Sequence, residues 1–250
     1  SGEALEKMGK VDTITFDKTG TLTFGSLEVN DILSFSDKYD NHTLLSLIAS
    51  AETRSEHPLG KAIVAYAKDQ NITLIETTNF QMEAGKGIYA EINNKKIFCG
   101  NEKYLKEKRI FISKHIKEVL DKFRNEGKAS ILASVNDECV GMITLSDILR
   151  PTAQNMITQL KNMGTDIILL TGDNQKTAEY FAKQVNITNI KSELLPAEKV
   201  KNIQKLQKEE KYVCMIGDGV NDAPALKTAN VGVAMGSMGS DIAIEAADIA

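Results

Sequence analysis

Three short runs carry aspartates among glycines and threonines: Asp17-Lys18-Thr19-Gly20-Thr21, Thr171-Gly172-Asp173-Asn174 and Gly217-Asp218-Gly219-Val220-Asn221-Asp222. Each directly follows a short apolar or β-branched stretch, Val11–Phe16, Ile167–Leu170 and Tyr212–Ile216. An aspartate so placed, Asp17 first of all, could be a nucleophile, a metal ligand or the cap of a turn. Carboxylates brought together repel and raise one another's pKa unless a cation sits among them. Oxygen-only ligands suit a hard ion such as Mg2+ rather than zinc. Asp17, Asp218 and Asp222 are therefore expected to converge on a Mg2+ site suited to phosphate chemistry. Thr19, Thr171 and the Gly172 backbone N–H are candidates to hold phosphoryl oxygens. Lys199, early in a helix after Leu194-Leu195-Pro196, offers a cation.

The elements that would position these residues follow from the apolar pattern. Pro151–Met163 carries Met156, Ile157, Leu160 and Met163 on one helical face, with Pro151 near its start and Gly164 just past its end. Ala178, Phe181, Ala182 and Val185 make a second stripe, and Val200, Ile203 and Leu206 a third. A further strand, Val231–Met235, runs into a loop with Gly236, Gly239 and Asp241. Short buried strands alternating with helices predict a parallel sheet covered on both faces, with ligands beyond the carboxyl ends of its strands. The middle of the chain reads differently. Helical stripes at Leu44–Ala51, Leu59–Ala67 and Ile116–Phe123 stand beside hairpin signals at Asn93-Asn94 and Asn136-Asp137. The expected fold is thus α/β: a parallel-sheet domain over 1–24 and 148–250, interrupted by an α+β domain with an antiparallel sheet over 25–147. Two chain crossings, near Thr23–Gly25 and Leu145–Arg150, would form a two-strand hinge.

Composition excludes several classes. Apolar residues make up 42% and charged residues 26%, a globular balance that rules out collagen-like, coiled-coil or largely disordered chains. Thirty Lys and Arg against 34 Asp and Glu leave a net charge of −4, so no nucleic-acid partner is expected. Cys99, Cys139 and Cys214 are odd in number and far apart, which disfavours a disulfide framework or structural zinc and favours a reducing compartment. No apolar stretch approaches the roughly 18 residues that cross a bilayer, and Ser1–Lys10 lacks the apolar core of a leader. A soluble piece of a longer chain is the expectation. No GxxxxGK[ST] phosphate loop occurs.

The runs DKTGT at 17–21, TGDN at 171–174 and GDGVNDAPAL at 217–226 resemble the signature of P-type cation-pumping ATPases, which carry a haloacid-dehalogenase-like fold. The resemblance implies that Asp17 takes the γ-phosphoryl group of ATP as an aspartyl-phosphate. It also implies that Mg2+ is held by Asp17, the Thr19 carbonyl and Asp218. Thr171, Gly172, Lys199 and Asn221 would contact the phosphate, with Asp173 and Asp222 in support. Phosphatases resembling this fold place an acidic residue two positions after the nucleophile, where this chain has Thr19. Without that proton shuttle hydrolysis of the phosphoenzyme should be slow, as a pump requires.

Ser55-Glu56-His57-Pro58-Leu59 resembles the SEHPL motif of heavy-metal-transporting P-type ATPases. By that resemblance His57 positions adenine, and Glu52, Gly85, Gly87, Gly100 and Asn101 contact the nucleotide. The parallel-sheet part would then be the phosphorylation domain and the insertion the nucleotide-binding domain. The implied function is the ATP-binding core of an efflux pump, the cytoplasmic part of an integral protein of the cell membrane. Its transmembrane and actuator domains would lie elsewhere in the full-length chain, and the transported metal would not bind this portion. Gly232–Asp241 and Ile244–Asp248 look more like zinc, cadmium or lead exporters than copper exporters; copper transport and a free-standing phosphatase of the same fold are the alternatives.

Overall fold

The computed structural model describes residues 2–235. In chain order its elements are α1 (Gly2–Met8), β1 (Thr13–Asp17), β2 (Thr23–Ser34), α2 (Asn41–Glu52), α3 (Pro58–Asp69), β3 (Thr78–Glu83), β4 (Gly87–Ile92) and β5 (Lys95–Gly100). Then come α4 (Glu102–Glu107), α5 (Lys114–Asn125), β6 (Ala129–Val135), β7 (Glu138–Leu149), α6 (Ala153–Asn162) and β8 (Asp166–Leu170). The described chain ends with α7 (Gln175–Gln184), β9 (Asn189–Lys191), α8 (Pro196–Lys208), β10 (Val213–Asp218), α9 (Ala223–Thr228) and β11 (Val231–Met235). They divide into two compact units, one formed by residues up to Ser26 with those from Asp147 onward, the other by Leu27–Ser146.

In the first unit a sheet of order β11-β10-β1-β8-β9 pairs in parallel throughout. Alternation along the central strand β1 explains its burial. Ile14 and Phe16 face Ile157 of α6 and Phe181 and Ala182 of α7. The intervening positions belong to the other face, where Ile168, Leu170, Val213 and Met215 pack on Ile203 of α8 and Leu226 of α9. Thr15 is fully buried there, its hydroxyl donating to the Cys214 carbonyl at 3.3 Å. From β1 the chain order builds β8 and β9 on one side, then β10 and β11 on the other. The order reverses at β1, which opens a crevice at its carboxyl end.

Two expectations need correction. Met163 is 78% exposed instead of sharing the buried face of α6. It caps the helix, and Gly164 at φ 83° turns the chain away before another turn forms. The first strand starts at Thr13, not Val11. The expected loop with Gly236, Gly239 and Asp241 lies outside the described residues, as does most of the run read for metal class.

In the second unit the sheet order is β2-β7-β6-β5-β4-β3, with β3 through β7 antiparallel. Asn93-Asn94 and Asn136-Asp137 all have positive φ, the signature of two-residue hairpin turns whose twist matches the strands. They set the registers Ile92↔Lys95 and Val135↔Glu138. One sheet face packs on Leu44, Ile48 and Ile63 from α2 and α3. The other packs on Tyr104, Ile116 and Leu120 from α4 and α5. Among the described residues no helix is long and apolar enough to cross a membrane.

Gly87 and Gly100 are partners across β4 and β5. A Cβ on Gly100 would lie 2.3 Å from the Lys86 carbonyl oxygen, 2.8 Å from the Tyr104 ring and 2.9 Å from the Gly87 Cα. Backbone on two sides cannot yield, so Gly100→Ala is expected to destabilise this unit by about 1–3 kcal/mol. Thermal unfolding followed by circular dichroism checks this, and an unchanged midpoint would refute it.

Candidate active site

Asp17 ends β1 at the sheet's reversal point and is only 7% exposed. The following turn, Lys18–Leu22, needs Gly20, whose φ is 76° and where a Cβ would meet Asp218 Oδ2 at 3.1 Å. Helix α8 supplies the neutralising charge. Pro196 opens it, and Glu198 closes its first turn by accepting the Leu195 N–H at 3.0 Å. That turn places Lys199 Nζ 2.7 Å from Asp17 Oδ1 and 3.4 Å from Asp222 Oδ1. Asp222 Oδ2 accepts the Asp218 N–H at 3.0 Å, and Asp218 Oδ1 accepts the Val220 N–H at 2.9 Å. Asn221 Nδ2 stands 3.5 Å from Asp218 Oδ2. Beyond β8, Thr171 Oγ1 accepts the Asp173 N–H at 3.1 Å, and Asp173 pairs with Lys18 at 2.5 Å. Asp17, Thr19, Thr171, Gly172, Asp173, Lys199, Asn221 and Asp222 all line one cavity of about 260 Å³.

Burial pushes the Asp17 carboxyl up to about 7, Asp222 adds to the rise, and Lys199 offsets only part of it. For Lys199 burial acts downward, but the two carboxylates outweigh it and its pKa is raised. Two acids sharing one ammonium leave negative charge to spare, which suits a divalent cation. Among the described residues, however, no three His, Cys, Asp or Glu side chains surround one point. Asp222 is committed to Lys199 and to the Asp218 N–H, which leaves it a supporting place beside Asp17 and Asp218. Mg2+ ordinarily uses one or two carboxylates and completes its shell with phosphate and water. Asp17, Asp218 and a backbone oxygen such as that of Thr19 fit this pattern.

Sequence reasoning missed Asp147. Its Oδ2 accepts the Thr23 hydroxyl at 2.5 Å and its Oδ1 the N–H groups of Gly25 and Ser26 at 2.9 and 3.0 Å. Thr23 Oγ1 in turn accepts the Gly20 N–H at 3.1 Å, so Asp147 braces the turn that follows Asp17. The only signal was an aspartate beside Arg150-Pro151 at a chain crossing. Lys18 was also passed over; it lies 5.6 Å from the Phe181 ring centroid as well as against Asp173.

A second cavity, about 370 Å³, lies in the other unit and gathers Glu52, His57, Gly85, Gly87, Gly100 and Asn101. His57 caps α3: its Nδ1 accepts the Leu59 N–H at 3.1 Å, which leaves the ring proton on Nε2. Asn101 caps α4 through Oδ1, 2.8 Å from the Tyr104 N, while its Nδ2 donates to the Gly85 carbonyl at 3.0 Å. Its amide therefore secures the Gly85 turn. Glu52 is 4% exposed, and burial pushes its carboxyl up to about 7 although a Ser55 hydrogen bond pulls the other way. Gly60, which the sequence reading left out, makes room for it: a Cβ there would sit 2.4 Å from Glu52 Oε2. A larger open groove of about 810 Å³ near Ser34–Asp40 holds none of these residues, so chemistry and not size singles out the site.

The Glu52 shift has a stability consequence. Below the ordinary value of 4.5 the carboxyl is neutral folded or unfolded, so its burial carries no ionisation penalty. As pH rises toward about 7 the unfolded chain loses the proton first, and stability falls. Above that the full penalty, about 3 kcal/mol, applies. Glu52→Gln should therefore raise the unfolding midpoint relative to the parent at pH 8 and by much less at pH 5. Equal differences at both pH values in thermal melts would contradict the buried, uncompensated acid.

The family model described as haloacid dehalogenase-like hydrolase matches residues 11–230. The chain is 46% identical over 248 residues to the copper-exporting P-type ATPase of Staphylococcus aureus (strain JH9), covering 99% of this chain and 30% of that protein. Identity to the copper-exporting P-type ATPase of Bacillus subtilis (strain 168) is 42% over the same shares. A crystal structure of a zinc-transporting PIB-type ATPase in the E2.Pi state superposes with a TM-score of 0.89 at 35% identity, covering 99% of this chain and 40% of that one. The catalytic domain of the CPx-ATPase CopB-B superposes with a TM-score of 0.72 at 35% identity, covering 99% and 87%. This chain thus spans under a third of the length of the copper-exporting relatives it matches. It belongs to the haloacid dehalogenase-like hydrolase family, in the branch formed by the catalytic domains of P-type ATPases.

Proposed function

We propose that this chain is the ATP-binding and phosphorylation core of a heavy-metal efflux P-type ATPase, with Asp17 as the phosphoryl acceptor. The observation that carries this reading is Asp17 at the carboxyl end of the central strand, held 2.7 Å from Lys199. One Asp17 carboxylate oxygen attacks the γ-phosphorus of ATP; the bond to the β–γ bridging oxygen breaks, and ADP leaves with that electron pair. The attack requires an approach of about 3–3.5 Å, which nucleotide held by the other unit must supply. Lys199 offsets charge on the acceptor; Thr171 and Gly172 line the same cavity, and their hydroxyl and N–H would hold phosphoryl oxygens. Bound Mg2+ would neutralise charge on both the phosphate and the carboxylate.

The position two residues beyond the acceptor is a threonine, which cannot shuttle a proton at neutral pH. A persistent acyl phosphate follows, which disfavours a free-standing phosphatase. The transmembrane and actuator domains of a longer chain would use that persistence to move metal across the cell membrane, with this core on its cytoplasmic side. For the metal, relatives named as copper exporters are 46% and 42% identical, against 35% for the zinc-transporting structure. Copper therefore fits no worse than the zinc, cadmium and lead class. ATP hydrolysis by the full-length chain, stimulated by Cu+ or by Zn2+, separates the two.

Incubation with γ-labelled ATP and Mg2+, then acid quench, should leave hydroxylamine-sensitive label on the parent chain and none on Asp17→Asn. Label surviving in the asparagine variant would remove Asp17 from its role. Thr19→Asp should speed hydrolysis of the acyl phosphate, by less than the roughly 10²–10⁴-fold of a well-placed acid/base. Hydrolysis of acetyl phosphate by a correctly folded variant is the measurement, and no gain would discard the account of persistence.

A further inference from the structure

The turn between β3 and β4 carries Lys86, the one lysine or arginine among the described residues that lines the cavity of the second unit. Three acids share that lining, Glu52, Glu56 and Glu83. The backbone of the turn is fixed without the lysine side chain. Asn101 donates its N–H to the Lys86 carbonyl and its Nδ2 to the Gly85 carbonyl, each at 3.0 Å, and the Lys86 N–H donates to the Glu83 carbonyl at 3.0 Å. The side chain itself reaches α4, where Nζ donates to Glu107 Oε2 at 2.9 Å. The two side chains are 35% and 38% exposed, so water screens the pair and it contributes little. The Lys86 hydrogen bond is the main cause that holds the Glu107 carboxyl below its usual value, but the charges of Lys103 and Lys108 act the same way. Glu107 also ends its helix, where the dipole disfavours an acid. Nothing in the fold needs this ammonium to stay where it is.

We propose that Lys86 binds the phosphate chain of the nucleotide, its ammonium leaving Glu107 to do so, and that Glu107 is a built-in competitor for that charge. This deepens the nucleotide reading above and rests on it. A nucleotide brings a polyanion to a cavity whose other charged walls are acidic. Glu56 and Glu83 are each met by a lysine of their own, Lys61 at 3.3 Å and Lys108 at 3.4 Å, so neither supplies the missing positive charge. Lys86 can supply it: the ammonium is a compact charge with three donors on a flexible stem, and it can swing while Asn101 holds the turn. Phosphate oxygens carry more charge than one carboxylate and take stronger charge-assisted hydrogen bonds. The exchange swaps hydrogen-bond partners only; the ammonium keeps its protons and no covalent bond changes. Its consequence is selectivity for the phosphate chain over the base and sugar alone.

Titration of the 250-residue chain with ATP and with adenosine, followed through amide resonances so that weak binding is also read, tests the exchange. Lys86→Met, which keeps an apolar stem, should weaken ATP binding roughly fivefold to tenfold, the low end for a charge-assisted hydrogen bond because the lysine is open to water. Its adenosine affinity should not change. Lys86→Arg should retain most of the ATP affinity. Glu107→Gln should move ATP the other way, tighter by about twofold to threefold, because an exposed pair no longer competes. In the Lys86→Met background the Glu107 change should leave ATP affinity alone, since its influence passes through the ammonium. If the pair merely braced the cavity, both single variants would weaken binding. An equal loss of ATP and adenosine in Lys86→Met, no loss of ATP there, or an ATP affinity unchanged or lowered in Glu107→Gln would overturn the proposal while the parent still binds ATP. A parent that binds neither ligand would overturn the nucleotide reading and this proposal with it.

Discussion

A carboxylate at the end of the central strand of a parallel sheet is surrounded by hydrophobic layers on both sides, and its charge has to be met locally. Lys199 meets it at 2.7 Å, and much of the first unit serves that contact. The Pro196 start and the Glu198 closure orient the first turn of α8, Gly20 lets the turn after Asp17 pass close to Asp218, and Asp222 takes the second bond from the ammonium. Asp147 and Thr23 brace the same turn from the side where the chain leaves the unit. The sheet order decides where this happens. Since strands are added to both sides of β1, the crevice opens at its end.

The second unit solves a different problem, which is to hold a cavity open at the end of a twisted antiparallel sheet. Tight asparagine turns fix strand register, and close glycine pairing at Gly87 and Gly100 draws β4 and β5 together under the Tyr104 ring. Several residues there serve local structure and the cavity at once. His57 caps a helix with one ring nitrogen and keeps the other as a donor. Asn101 accepts with Oδ1 at a cap and donates one Nδ2 hydrogen to a turn, so it braces the cavity that it also lines. Such double use explains how a short helix-start sequence can also belong to a binding site.

Two buried acids with similar shifts illustrate how environment separates roles. Asp17 and Glu52 both sit near 7, and burial is the leading cause for each. Asp17 has a lysine bonded to it and a second carboxylate nearby, so its charge is supported and it can act as an oxygen nucleophile. Glu52 has the Ser55 hydroxyl and, among the described residues, no cation at salt-bridge distance, so its burial is offset by one hydrogen bond alone. The same chemical group is thus ion-paired in one unit and left with a hydroxyl partner in the other, as carboxylates in enzyme sites are often separated by their environments.

Much was legible in the chain before any coordinates. Alternation and helical stripes are local consequences of side-chain geometry, so the parallel sheet, the helices α2, α3, α5, α7 and α8, and both asparagine hairpins could be read directly. The interruption of one fold by another showed as a change of pattern, and glycine-aspartate runs after strands pointed to the sheet edge where the cavity forms. Helix ends were less legible, as Met163 shows, because a cap depends on one glycine torsion and not on periodicity. The three-residue edge strand β9 is too short to carry a period at all. Pairings between distant residues could not be read either. That Lys18 belongs to Asp173, that Asp222 turns to Lys199 and a backbone N–H, and that Asp147 braces Gly20 through Thr23 all depend on which side chains meet across more than a hundred residues or across separate elements. Spacing along a chain sets which residues share a face; only the folded packing sets which charges are within reach of one another.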